Sequence, residues 1–378
     1  MGLIGCGGFG KFCLKSYVGL KQIRVAAVAD VNENALAEVA ADYGLETYMS
    51  ARQLIRRSDL DLIHISTPPF THFSLGKEVL EAGKHLICEK PLALSLKEAD
   101  QMLRIARVNR LIAPVNFILR YVPLVETVKQ IIQSGILGKP LRAYFENYAA
   151  DEKLNADHWF WDKTKSGGIF VEHGVHFFDL YRYWFGEARL LFSHTESRPL
   201  SGQEDRAFCV LRHKSGVLST HYHGFNQALA MDRATHRVLL ERGDLTINGW
   251  IPESLTIDAL VDDTATAELQ RICPGADLKI LQKFDPDRRE IIAGGKSFHA
   301  THRILLNMQS ALSKQTLYSA AIKDLILDQI AHIENAEHRR RVTEENGREA
   351  LALALMAARF SSGEIRLSAY NRRGEERR

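Results

Sequence analysis

The residues most able to do chemistry lie in three stretches of the 378-residue chain. The first is Gly5-Cys6-Gly7-Gly8-Phe9-Gly10, which spells G-x-G-x-x-G between a short apolar run and a helical pattern from about Phe9 to Tyr17. In that setting the spacing points to a dinucleotide pyrophosphate site. Gly5 permits the tight turn, Gly7 admits the pyrophosphate to the backbone, and Gly10 lets helix and strand pack closely. Gly8 and Phe9 open the helix, whose free N–H groups and positive dipole end suit an anion. Asp30 falls 20 residues after Gly10, at the end of the second apolar run, with Val31 beside it. A carboxylate there accepts hydrogen bonds from ribose hydroxyls and repels a 2′-phosphate, so NAD is expected ahead of NADP.

The second stretch is Cys88-Glu89-Lys90-Pro91, after a strand-like run, with Ser66-Thr67-Pro68-Pro69-Phe70-Thr71-His72 after the preceding one. The third is Gly167-Gly168-Ile169-Phe170-Val171-Glu172-His173-Gly174-Val175-His176. If residues 172 to 184 are helical, Glu172, His176 and Asp179 sit at i, i+4 and i+7 on one face. These types suit oxidation of a secondary alcohol. His176 can take the hydroxyl proton near neutral pH. Lys90 can stabilise the developing alkoxide, and Glu172 can orient the imidazole. Glu172, His173 and His176 could also bind an ion. Gly174 between them weakens a rigid helical site and no other cluster completes it, so no metal is expected. His221 and His223, two apart on one strand, share a face, as cleft lining or as ordinary sheet residues.

Taken together, these stretches resemble the glucose–fructose oxidoreductase / inositol dehydrogenase (Gfo/Idh/MocA) family, from residue 2 to roughly 190 and weakly beyond. The resemblance implies catalytic roles for Lys90, Glu172 and His176. It places the cofactor on Gly5, Gly7, Gly8, Phe9, Gly10, Asp30, Val31, Ser66, Thr67, Pro68, His72, Glu89 and Lys90. It offers Arg120, Trp159, Trp161 and Asp179 to the substrate. Glu172 stands where the family has aspartate, Ser166 replaces the first glycine of a triple, and Trp159-Phe160 stands where Trp-Arg is common. The implied activity is hydride transfer between NAD(P) and a secondary alcohol or ketone of a sugar, cyclitol or related polyol. A redox-neutral hydrolase or epimerase that uses NAD, and a silent NAD-binding sensor, are the rival readings. The resemblance also implies a homo-oligomer, dimer or tetramer.

The elements that must position these residues change character along the chain. Up to about residue 118, strand-like runs (Gly2-Ile4, Val25-Val28, Leu62-Ile65, His85-Ile87, Ile112-Val115) alternate with helical patterns. Asn32 can cap one helix that stops before Gly44, and Ser50 with Gln53 and Ser95 with Glu98 have capping-box spacing. Alternation of this kind implies an α/β Rossmann domain with a parallel sheet, covering residues 1–118. Lys90 would then leave the carboxyl end of a strand, where open α/β sheets bind ligands, and meet the 172–184 helix across an interdomain cleft. Residues 119–378 read as an α+β domain for substrate binding and self-association, with 364–378 a loose tail. Its strands (Leu141-Asn147, Ala207-Arg212, Val217-Tyr222, Arg237-Glu241, Leu245-Asn248, Leu255-Val261) are joined by turns such as Lys214-Ser215-Gly216 and Arg242-Gly243-Asp244, hence a mainly antiparallel, open-faced sheet.

Composition narrows the partners. Lys plus Arg number 49 against 46 Asp plus Glu, for a net charge of +3, too balanced for a nucleic-acid footprint. No apolar run reaches the ~18 residues of a membrane span, and no signal peptide is evident. Five cysteines without CxxC spacing fit a reducing cytoplasm, with Cys6 a packed residue of the glycine loop. The expected partner is a small polyhydroxylated molecule.

Overall fold

The computed structural model describes residues 1–152 and 154–363; the expected tail at 364–378 lies outside the described residues. The chain forms two compact units. One comprises Met1–Tyr121, Leu154–Asp179 and Tyr318–Arg359; the other comprises Val122–Lys153, Leu180–Leu317 and Phe360–Arg378.

The first unit opens with β1 (Gly2–Ile4), α1 (Gly8–Tyr17), β2 (Ala27–Ala29), α2 (Glu33–Tyr43), β3 (Glu46–Tyr48), α3 (Ala51–Ile55), β4 (Leu62–Ile65), α4 (His72–Glu81), β5 (His85–Cys88) and α5 (Leu96–Val108). Its five strands are parallel in the order β3-β2-β1-β4-β5, the expected Rossmann arrangement. β1, β2 and β4 are buried throughout, because helices cover both faces of a parallel sheet. Asn32 Oδ1 accepts from Ala35 N at 3.2 Å and Gly44 ends α2 in the left-handed conformation. Ser95 Oγ accepts from Glu98 N at 3.2 Å. Ser50 does occupy the cap position of α3, yet its hydroxyl makes no capping bond. The expected strand at Ile112-Val115 is reduced to one bridge between Val115 and Cys88. Pro114 supplies no N–H there, so the ladder cannot continue through it.

Two later stretches complete this unit. After α6 (Pro123–Ser134) and β6 (Pro140–Ala150) come α7 (Lys163–Ser166), a π-helical turn at Phe170–Gly174, and the start of α8 (Val175–Phe185). The expected continuous helix over 172–184 therefore begins with a wider turn, a form often found at functional sites. The other stretch holds most of α10 (Lys314–Glu334) and α11 (Glu344–Ser361). Ser16 and Ser319 hydroxyls lie 2.9 Å apart, Tyr121 donates to Asp328 at 2.6 Å, and Glu344 accepts from Ala113 N at 2.9 Å.

The second unit is built on nine strands. Besides β6 these are β7 (Ala188–Ser197), β8 (Glu204–His213), β9 (Leu218–Gln227), β10 (Arg233–Leu240), β11 (Gly243–Asn248), β12 (Ser254–Val261), β13 (Asp277–Lys283) and β16 (His302–Gln309). Their order is β13-β16-β12-β11-β10-β6-β9-β8-β7, antiparallel except for β6 against β9. A separate hairpin joins β14 (Glu290–Ala293) and β15 (Lys296–His299), and α9 is Asp263–Ile272. Period-two burial leaves one face in the core. On β6 the inward residues are Ala143, Phe145 and Asn147, while Tyr144, Glu146 and Tyr148 between them stay half-exposed.

Candidate active site

The glycine loop follows from steric necessity. Gly5 has φ of +100°, and a Cβ there would come 2.3 Å from Ser66 O. A Cβ on Gly10 would lie 1.9 Å from Gly5 O, so only glycine lets α1 start this close to β1. Gly7 and Gly8 face open space and are exposed. Gly7 caps α1 without a side chain, so the helix keeps unclaimed donors at its start. Asp30 Oδ2 accepts from Cys6 N at 2.5 Å and Oδ1 from Asn32 N at 2.8 Å, which fixes the carboxylate at the mouth of the loop.

A cavity of about 510 Å³ lies here, lined by Gly5, Gly7, Asp30, Val31, Ser66 and Thr67, together with Pro68 and a more apolar wall of Met49, Phe70 and Leu75. These residues fit a dinucleotide. The open glycines suit its phosphates, the carboxylate suits a ribose diol, and the apolar wall suits a flat base. The apolar wall carries no local signal in the sequence, because Met49 and Phe70 are single exposed apolar residues and Leu75 is one apolar position within α4. Cys6 is buried, and burial next to Asp30 pushes its thiol up to about 12, which makes it inert. Phe9 turns its ring toward Tyr318, with centroids 5.7 Å apart.

Two of the residues expected at the cofactor have side chains held by partners within the fold. Glu89 is buried, and its Oε1 accepts from Asn116 Nδ2 at 2.6 Å and faces His64 Nε2 at 3.1 Å. His72 is fully buried between two carbonyls, with Nδ1 2.7 Å from Pro91 O and Nε2 2.7 Å from Thr67 O. Neither lines the cavity.

Lys90, Glu172 and His176 do come together, inside the first unit. Lys90 Nζ donates to Glu172 O at 2.8 Å and forms an ion pair with Glu172 Oε1. Gly167 and Gly168, with φ of +81° and +84°, turn the chain into the π-helical turn that presents Glu172. A Cβ on Gly167 would strike Val171 at 2.6 Å. The Glu172 carboxylate, expected to orient His176, therefore reaches the lysine instead. The extra methylene relative to aspartate gives it more reach. His176 is buried near Phe117, with ring centroids 6.1 Å apart. Burial, and secondarily the charge of Lys90, hold its pKa well below 6.5.

The expected substrate residues divide. Arg120 grips Asp179 through two hydrogen bonds, Nε to Oδ2 at 2.8 Å and Nη2 to Oδ1 at 2.6 Å, and Nη1 donates to Arg341 O at 3.0 Å. That buried, bidentate pair is a structural clamp. Trp161 is buried and donates to Leu154 O at 3.4 Å, while Trp159 is half-buried beside His158.

A parallel Rossmann sheet with an open glycine loop defines the class of dinucleotide-binding folds, and a lysine–carboxylate–histidine group lies in the same unit. Family models agree: an oxidoreductase family with NAD-binding Rossmann fold matches residues 1–117, and the GFO/IDH/MocA C-terminal domain matches 125–246. The chain belongs to the Gfo/Idh/MocA family. It is 30% identical over 228 residues to myo-inositol 2-dehydrogenase of Thermotoga maritima, covering 58% of this chain and 66% of the relative. It is 30% identical over 199 residues to levoglucosan dehydrogenase of Pseudarthrobacter phenanthrenivorans, covering 50% and 51%. The matched stretches thus span about half to two thirds of these curated relatives. The fold also resembles a levoglucosan dehydrogenase in complex with NADH and levoglucosan, with TM-score 0.75, 19% identity, and coverage of 96% of this chain and 97% of that one.

Proposed function

We propose that this chain uses NAD to move a hydride between nicotinamide and a secondary alcohol or ketone of a sugar, cyclitol or related polyol. The observation that carries the reading is the pinned ammonium of Lys90 with a neutral histidine close enough to feel its charge. An ammonium has three donors. Glu172 takes two, through its carbonyl and its carboxylate, and the third is free to meet a substrate oxygen. His176, kept neutral by burial, accepts the hydroxyl proton as the alcohol is oxidised, while Lys90 stabilises the charge that develops on oxygen. In reduction the same two groups reverse roles. Nicotinamide, when bound, supplies the hydride acceptor or donor.

The named activities of the relatives support the substrate class, and Asp30 at the cavity mouth supports NAD over NADP. A panel of sugars, cyclitols and sugar acids, each with NAD and with NADP, tests the reading by NADH absorbance. Full activity in Lys90→Ala would sink it. Among the described residues no helix is long and apolar enough to cross a membrane, and all five cysteines are free and buried, which supports a cytoplasmic setting. The half-exposed sheet face bearing Tyr144, Tyr148 and Tyr222 supports self-association. A strictly monomeric mass at micromolar concentration would contradict that part.

A further inference from the structure

Lys90 is flanked by two residues, and a different buried histidine holds each. On one side is Glu89. Its backbone N–H donates to Ile65 O at 2.9 Å, and its Oε1 faces Asn116 Nδ2 at 2.6 Å and His64 Nε2 at 3.1 Å. A carboxylate only accepts, so His64 carries its proton on Nε2. Its Nδ1, 3.0 Å from the Tyr17 hydroxyl, then accepts. The chain Tyr17–His64–Glu89 thus runs from α1 through the middle of the sheet to the residue before Lys90.

On the other side is Pro91. It has no N–H, so its carbonyl is the backbone group by which its peptide can be tied down. His72 Nδ1 lies 2.7 Å from that carbonyl, and Nε2 of the same ring lies 2.7 Å from Thr67 O. Thr67 lines the cavity by the glycine loop. His72 therefore links the loop after β4, on the cofactor side, to the loop after β5 that carries Lys90. Both partners are acceptors. As a neutral imidazole His72 donates to one of them, and as an imidazolium to both. Glu89 and Lys90 are the charged groups facing it, with opposite effects on its proton.

We propose that His64 and His72 are positioning residues for Lys90, His64 through the Glu89 carboxylate and His72 through the Pro91 carbonyl. The importance of that position rests on the function proposed above. A displacement of about 1 Å at a reacting group costs on the order of 10²-fold in rate, which gives such anchors their value.

Amide substitutions can replace one ring nitrogen at a time. His72→Asn keeps a donor near the Nδ1 place and so the bond to Pro91, whereas His72→Gln keeps one near Nε2 and so the bond to Thr67. Likewise His64→Gln keeps the donor toward Glu89 and His64→Asn does not. The readout is the rate at which trinitrobenzenesulfonate labels Lys90, followed by peptide mass spectrometry, with the melting temperature recorded for each variant. The expected result is labelling about tenfold faster than in the unaltered protein for His72→Gln and His64→Asn, and within about threefold of it for His72→Asn and His64→Gln, as loss of positioning predicts. Unchanged rates throughout overturn the proposal. So do equally raised rates within each pair, which mark lost packing alone. Should a variant fail to fold, ring-nitrogen NMR of the unaltered protein decides: His64 protonated on Nε2 supports the proposal and protonation on Nδ1 overturns it. Labelling reads the place of the amine whatever reaction it serves. A failure here leaves the hydride-transfer reading standing, and full activity in Lys90→Ala would sink that reading without touching this one.

Discussion

Each unit buries a group of histidines, and the two groups do opposite things. In the first unit His64 meets the Glu89 carboxylate, His72 meets backbone carbonyls of two loops, and the charge of Lys90 bears on His176. In the second unit His213, His221, His223 and His236 lie on the core face of the sheet. There His213 meets Ser219 Oγ at 2.9 Å and Gly186 O at 3.0 Å. His221 and His223 stack with centroids 6.2 Å apart, and His221 also packs at 4.5 Å against the Tyr181 ring. Burial is the main cause that lowers all four, His213 to about 4 and both His223 and His236 to about 3, with His221, which the neighbouring histidines lower further, well below 6.5. A buried histidine thus carries no meaning by itself. Those in the second unit behave as polar core residues, while His64 and His72 in the first meet the two residues that flank Lys90.

Four measurements can break or sharpen that division. The largest effect is expected from His176→Ala, which should lower turnover by roughly 10²–10⁴-fold with little change in melting temperature. His223→Ala should do the reverse, and a stable His223→Ala protein with comparably reduced turnover would break the distinction. Next comes acid. A histidine whose folded pKa is depressed stabilises the fold above its unfolded value near 6.5, and that stability is lost as pH falls toward the folded value. His213 should withdraw roughly 3 kcal/mol between pH 6.5 and about 4, and His223 and His236 roughly 5 kcal/mol each between pH 6.5 and about 3. Circular dichroism across an acid titration should show unfolding in that window, moved to lower pH by His236→Phe. No movement would argue that this histidine contributes nothing to acid sensitivity.

A smaller loss, about ten- to hundredfold in turnover, is expected from Glu172→Asp, because the shorter carboxylate must shift to reach Lys90. Equal activity would place the Lys90 contact on the Glu172 carbonyl alone. The smallest is Asp30→Ala, which removes the acceptor at the cavity mouth. It should weaken NAD by about tenfold, the worth of one hydrogen bond, and narrow the gap to NADP. An unchanged cofactor preference would remove Asp30 from the ribose site.

Much of the first unit was legible because its signals are local. The glycine spacing, the Asn32 and Ser95 caps and the buried strands each announce themselves within a few residues. What stayed hidden depends on partners far along the chain. Glu89, Asp179 and Arg120 have side chains able to meet a ligand, and the fold gives each an internal partner instead. The π-helical turn at Phe170–Gly174 has no periodicity that separates it from an ordinary helix start. In the second unit six of the nine strands were visible by alternation, whereas β7, with only Leu190 and Ser193 buried, was not. β13 was missed because Asp277–Lys283 is exposed along nearly its whole length, so no apolar face marks it. β16 hides its alternation in the continuous run Ile304-Leu305-Leu306.

The make-up of the first unit also bears on how the protein comes into being. Its sheet is finished by residue 88, yet most of α10 and α11 belongs to it, as far as Arg359. A Cβ on Gly347 would sit 2.4 Å from the Val115 side chain, so the last helix packs against residues made more than two hundred positions earlier. On a ribosome that emits the N-terminus first, the nucleotide-binding half must wait, incomplete, while the whole nine-stranded sheet is synthesised. Order of translation and order of completion are therefore inverted, and the half whose sequence is easiest to read is the last to be closed.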